Sequence, residues 1–145
     1  MNIWLFSPYL ITIFIAWFGS HIIKYVVKLI KDRKTKILSV VFISGGMPSA
    51  HSATVISLAT IIGLIDGFNS GLFALALLLA IIIIYDSFKL RRSSGEQGFA
   101  IHSLIKEQKS SVKLPMISEG HTAKEVVIGA LFGIFIGIVV FLSTR

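Results

Sequence analysis

Four long apolar runs alternate with polar segments along this chain. They extend from about Ile3 to Ile23, Ala53 to Ile65, Leu72 to Tyr85 and Val126 to Leu142. A helix needs about 20 apolar residues to cross a bilayer. The first and last runs are close to that length, and the second reaches about 18 residues when counted from Pro48. The third is shorter and almost purely aliphatic. The first basic residue, Lys24, follows the first run. A secretory signal would carry its charge before the apolar stretch, so a retained helix is expected. Asp66-Gly67-Phe68-Asn69-Ser70-Gly71 reads as a tight turn between the second and third runs. The pattern predicts an all-α fold: an integral membrane helical bundle of about four transmembrane helices, with residues 1–145 forming a single membrane domain.

The polar segments add detail. Lys24, Lys28, Lys31, Arg33, Lys34 and Lys36 form a basic stretch against one acid, Asp32. Lys24, Lys28 and Lys31 have helical spacing, so the first helix is expected to continue past the membrane with that face in water. Ile37 to Ile43 is a short apolar stretch and a candidate re-entrant segment. Between Phe88 and Ile105, apolar and polar residues alternate unevenly, which makes an interfacial helix a candidate there. Gln108 to Ser118 has loop composition. Gly129, Gly133 and Gly137 recur at every fourth position of the last run, a stripe that lets another helix approach closely. Packing within the chain is the first reading of that stripe, and a homo-oligomer contact is the alternative. Trp4, Tyr9 and Trp17 suit either interfacial anchoring or packing.

Composition sharpens the class. The 145 residues are 54% hydrophobic and 14% charged, with a mean hydropathy of +0.86. These values exclude an ordinary soluble domain. The chain has no cysteine, so disulfides and thiolate metal sites are excluded. A net charge of +7 in a soluble protein would suggest nucleic acid. Here the basic residues flank apolar runs, so membrane orientation and contact with anionic membrane lipids are the better reading, with no nucleic-acid partner. Every Lys and Arg except Arg145 lies in Lys24–His51 or Asp86–Glu125, and the turn between the second and third runs has none. With four crossings this asymmetry places both basic regions in the cytoplasm and both termini outside a cell membrane.

That topology brings three polar islands to one membrane face. Gly45–His51 opens the second helix, Asp86–Arg92 follows the third, and His121–Glu125 opens the fourth. Ionisable groups beside a bilayer are costly unless they pair or serve a function. Pro48 suits the first turn of a helix, and Ser49, His51, Ser52 and Thr54 crowd that turn. Helix N-termini offer free N–H groups to an anion. His121 and Glu125 are four apart, so on a helix the carboxylate can bond one ring nitrogen and leave the other free to attack an electrophile. His51, from another helix start, can protonate a leaving group. Lys24, Ser49, Arg91 and Arg92 form the candidate phosphate-binding set, and Asp86 is placed to orient one of the arginines. This set needs no metal or cofactor. A metal site from His51, Asp86, His121 and Glu125 is a weaker alternative, and His21 and His102 are read as structural or interfacial.

Gly45-Gly46-Met47-Pro48-Ser49-Ala50-His51-Ser52-Ala53, then Tyr85-Asp86 with Arg91-Arg92, then Glu119-Gly120-His121-Thr122-Ala123-Lys124-Glu125, resembles the divergent branch of the type 2 phosphatidic acid phosphatase family. The resemblance covers nearly the whole chain. It implies a membrane phosphatase acting on a lipid phosphate or pyrophosphate, with His121 as the nucleophile that forms a phosphohistidine. It also implies His51 as general acid, and Glu125 in place of the aspartate that orients the nucleophile. Lys24 with Arg33 matches the first motif at a different spacing. Ala50 replaces the glycine of the Pro-Ser-Gly-His motif, and Pro115 stands where an arginine is expected. These departures motivate an alternative from another class, a non-catalytic membrane protein that binds or transports a phosphorylated lipid. A third alternative is a small helical subunit of a larger membrane complex.

Overall fold

A computed structural model of the chain describes residues 7–31, 46–115, 117 and 120–144. The described residues form helices joined by turns, with no strand among them. In chain order the helices are α1 (Pro8–Lys31), α2 (Ala50–Asp66), α3 (Gly71–Tyr85), α4 (Arg91–Glu107) and α5 (Ala123–Ser143). Asp86–Leu90 is a π-helical turn that joins α3 to α4 without a break. α1, the continuous helix Gly71–Glu107 and α5 are each long and apolar enough to cross a membrane, and α2 is a shorter apolar helix. The chain is therefore a membrane protein of the all-helical class. Arg33 and the segment Ile37–Ile43 lie outside the described residues.

α2 is the central helix, in contact with α1, α3 and α5, while α1 also touches α5. Its residues explain that position. Ala50, Ser52, Ala53, Ser57, Ala59 and Gly63 are all small and buried, so neighbouring backbones approach from several sides. The glycine stripe of α5 is one such contact. A Cβ on Gly129 would lie 2.5 Å from the Ser49 carbonyl oxygen, one on Gly133 2.5 Å from that of Ala53, and one on Gly137 2.8 Å from the Thr60 side chain. The stripe thus serves packing within the chain, and its order makes α2 and α5 run parallel. Ile61 of α2, Ala16 of α1, and Ile136 and Val140 of α5 close the main apolar cluster. Ala59, Ile62 and Ala76 join α2 to α3.

α1 runs antiparallel to α2. At one end, the Tyr9 hydroxyl donates to Asp66 Oδ2 at 2.7 Å. At the other, Gly46 packs against the stem of Lys24, at 3.5 Å from a built Cβ to Lys24 Cγ and Cδ. Large apolar side chains such as Phe14, Leu75, Ile82, Leu131 and Phe135 point outward, as lipid-facing positions do.

Three local expectations change. Pro48 does not open the helix: Ser49 is the N-cap, and its side chain accepts from the Ser52 N–H, so Pro48 precedes the cap. The candidate interfacial helix between Phe88 and Ile105 is helical, but it joins α3 directly as the π turn and α4, because the backbone bonds stay internal: Asp86 N–H donates to Ile82 and Ile83, and Arg91 N–H donates to Asp86. Lys24 is not on a wet face. It is 4% exposed, because α1 turns that position toward Gly46 and the start of α2.

Candidate functional site

Parallel packing of α2 and α5 puts both helix starts at one end of the bundle, beside the late part of α1 and the end of α3. Two backbone bonds fix this convergence. Ser49 N–H donates to the Glu125 carbonyl at 3.1 Å, and His121 N–H donates to the buried Ser87 carbonyl residue at 3.0 Å. The three polar islands therefore meet.

His121 lies just before α5, not on it. Thr122 is the N-cap, with its side chain accepting from Glu125 N–H, while the Glu125 carboxylate accepts from Thr122 N–H. This capping box holds Glu125 in a fixed rotamer. The same Glu125 Oε2 lies 3.1 Å from His121 Nδ1. A carboxylate only accepts, so the ring donates from Nδ1 and, when neutral, carries its lone pair on Nε2. The expected pairing of His121 and Glu125 is present, but a cap makes it rather than a shared helical face.

The rings of His51 and His121 are 5.9 Å apart between centroids, edge to face at 63°. His121 is 3% exposed. Burial is the main cause that pushes its imidazole below the usual histidine range; Lys24 and Arg91 add to the effect, and the Glu125 hydrogen bond and charge oppose it. The ring is thus neutral at neutral pH. His51 Nδ1 is buried without a hydrogen-bond partner among the described residues.

Lys24 stands within electrostatic range of Glu125 and of both site histidines. Arg91 also acts on both histidines, and its Nε bonds Asp86 Oδ2 at 2.9 Å. The two arginines separate here. Arg92 Nε bonds Glu96 Oε1 at 3.2 Å on an exposed surface, while its backbone forms a wall that a Cβ on Gly120 would strike. Ser49 is fully buried; its Oγ accepts from the Ser52 N–H and hydroxyl, so it organises the turn beneath His51. Pro115 is exposed, and its carbonyl accepts from His102 Nε2 at 2.7 Å. His21 packs edge-on against Trp17, with centroids 4.6 Å apart. Among the described residues no three His, Cys, Asp or Glu side chains gather as a metal-ligand group.

Three participants carry no signal in the sequence analysis: the Ser87 carbonyl, Gly46 against Lys24, and Gly120 against Arg92. The capping box has a signature that the helical-face reading passed over, Thr122-x-x-Glu125; the backbone contacts have none. Chemically, the end of the bundle gathers a neutral imidazole with an available Nε2, a second imidazole, the buried Lys24 and the part-exposed Arg91.

The sequence profile of the divergent PAP2 family matches residues 6–136. An uncharacterized membrane protein of Bacillus subtilis (strain 168), YuiD, is 34% identical over 136 residues, covering 83% of this chain and 85% of that protein. No solved structure matches the chain.

Proposed function

Because this chain belongs to the divergent PAP2 family, we propose that it is an integral membrane phosphatase that hydrolyses a lipid phosphate or pyrophosphate through a phosphohistidine. The observation that carries this reading is the histidine pair: centroids 5.9 Å apart, with Glu125 on Nδ1 of His121. In the first step His121 Nε2 attacks phosphorus, and the bond to the leaving oxygen breaks as His51 protonates it. The Nδ1 proton stays hydrogen-bonded to Glu125, which stabilises the positive charge that develops on the ring. In the second step His51, now neutral, takes a proton from water as its oxygen attacks the phosphohistidine. Phosphate leaves, and both histidines return to their starting states. Lys24 and Arg91 hold the phosphoryl oxygens.

Arg91 supplies the guanidinium in this scheme, from the start of α4 rather than from the position of Pro115. Arg92 acts on the fold through its backbone. The site faces the cytoplasm and both termini lie outside, by the distribution of Lys and Arg. Reporter tags at Asn69 and near Ser110 test that orientation and should label opposite sides.

Rapid acid-free quenching of the protein with lipid labelled in its phosphate tests the mechanism. The expected result is an acid-labile, base-stable label in the parent that maps to His121 and forms more slowly in His51→Ala. Label at any other residue, or its persistence in His121→Ala, would overturn the scheme. Saturable lipid-phosphate binding without label or phosphate release would favour the binding or transport reading, which Ala50 and Pro115 motivate.

A further inference from the structure

The outer side of α3 carries a groove of about 470 Å³, lined by Ile81, Ile82, Ile83, Tyr85, Asp86 and Leu90. Its lining is apolar apart from the Tyr85 phenol and the one charged group, Asp86. Asp86 is also the partner of Arg91, at 2.9 Å, and its charge reaches His51. One carboxylate therefore belongs both to the groove and to the histidine site. Resting on the proposed phosphatase reading, we infer that this groove receives the apolar chain of the phosphorylated lipid whose headgroup lies at Arg91.

Depth and charge support this occupant. Asp86 is the first ionisable side chain after the aliphatic run of α3, apart from the Tyr85 phenol. The groove therefore straddles the level at which a lipid changes from chain to headgroup. Tyr85, amphipathic and 58% exposed, suits that boundary. A lipid with its chain against Ile81 and Ile82 would direct its headgroup toward Asp86, which lines the groove, and so toward the Arg91 paired with it. Phosphate accepts from guanidinium as a carboxylate does, so it can take the place of Asp86 on Arg91 without leaving that cation unpaired. The π turn contributes directly: it sets Asp86 and Arg91, five residues apart, on the same side of the helix, next to the groove.

The test uses the full-length protein in nanodiscs of phosphatidylcholine, with two diazirine probes of identical chains, one a phosphatidic acid and one a phosphatidylcholine. Labelling of the Ile81–Leu90 peptide should be stronger for the phosphatidic acid by on the order of tenfold, the ratio expected if cation contacts of about 1.4 kcal/mol hold the head. Ile82→Trp, which fills the groove from an exposed position, should abolish that preference while the protein keeps its melting temperature. Equal labelling by the two probes, or a preference unchanged in Ile82→Trp, would overturn the groove. Phosphate release separates this inference from the phosphatase reading. Ile82→Trp should raise KM for the long-chain lipid and leave a short, water-soluble alkyl phosphate unaffected. Headgroup-dependent labelling without phosphate release from either substrate would uphold the groove and refute catalysis. Release from both with unchanged KM would refute the groove alone.

Discussion

The backbone N–H of Ser49 donates to the carbonyl of Glu125 at 3.1 Å, tying together the two helix starts that carry His51 and His121. This bond requires α2 and α5 almost in backbone contact. Gly129 permits it, since a Cβ there would lie 2.5 Å from Ser49 O and 3.1 Å from Ser49 N. Gly129→Val is therefore expected to force the helix starts apart. Overpacking of this kind costs about 1–3 kcal/mol, and a misplacement of about 1 Å at a catalytic pair costs roughly 10²-fold in rate. Thermal denaturation in detergent and phosphate release measure the two effects. An active, equally stable Gly129→Val protein would show that this contact does not set the site.

Glu125 has two tasks that one substitution separates. Glutamine can still accept from the Thr122 N–H and complete the capping box, but it lacks the charge that stabilises a positive His121. Glu125→Gln should keep its melting temperature within a few degrees while kcat falls by roughly 10-fold to 10²-fold. Thr122→Ala should do the reverse in part, costing about 1 kcal/mol of stability through loss of the cap. Equal losses of stability in both would reduce Glu125 to a cap.

Arg91 and Arg92 are adjacent, yet only Arg91 acts on the histidines. Arg91→Gln is expected to raise KM and lower kcat together, by about 2–3 kcal/mol in kcat/KM for a lost charge-assisted contact. Arg92→Gln, which removes an exposed pair with Glu96, should change kcat/KM less than about twofold, since such pairs contribute little. The opposite ranking would reassign the phosphate cation.

Burial lowers the His121 pKa from its ordinary 6.5, so the folded protein favours the neutral ring. The rate should fall on the alkaline side as the general acid His51 loses its proton, and fall again in acid, below the ordinary histidine range, as the nucleophile is protonated. Stability follows the same direction: the contribution is fully present above the unfolded value and is lost as pH falls through the folded one. His121→Asn should remove part of the acid loss in melting temperature. An acid limb of the parent's kcat/KM above pH 6.5 would contradict a buried neutral His121.

Much of this arrangement was legible in the residues. The apolar runs mark α1, α2, α3 and α5, and the four-residue glycine spacing marks the face on which α5 meets α2. The His121–Glu125 island and Ser49–His51 turn mark the site. What the pattern did not show depends on tertiary contact. Lys24 shares helical spacing with Lys28 and reads as a wet position, but the facing Gly46 buries it. The segment from Phe88 reads as a candidate interfacial helix, yet the backbone bonds of the π turn carry α3 on into it without a break. That π turn also shifts the register. With about 3.6 residues per turn, residues five apart on an α-helix face different ways, whereas i to i+5 closure aligns them. Periodicity alone therefore could not distinguish Arg91 from Arg92.

The central claim is that His51 and His121 hydrolyse a lipid phosphate, and phosphate release by the purified, detergent-solubilised protein tests it most directly. The parent would be assayed on phosphatidic acid, phosphatidylglycerol phosphate and polyprenyl pyrophosphate with chelator present, beside His51→Ala and His121→Ala. We expect release from at least one lipid by the parent, a loss of roughly 10²-fold to 10⁴-fold in His51→Ala, and none above background in His121→Ala. Full turnover by His121→Ala, or a folded parent that releases phosphate from none of these lipids, would contradict the account.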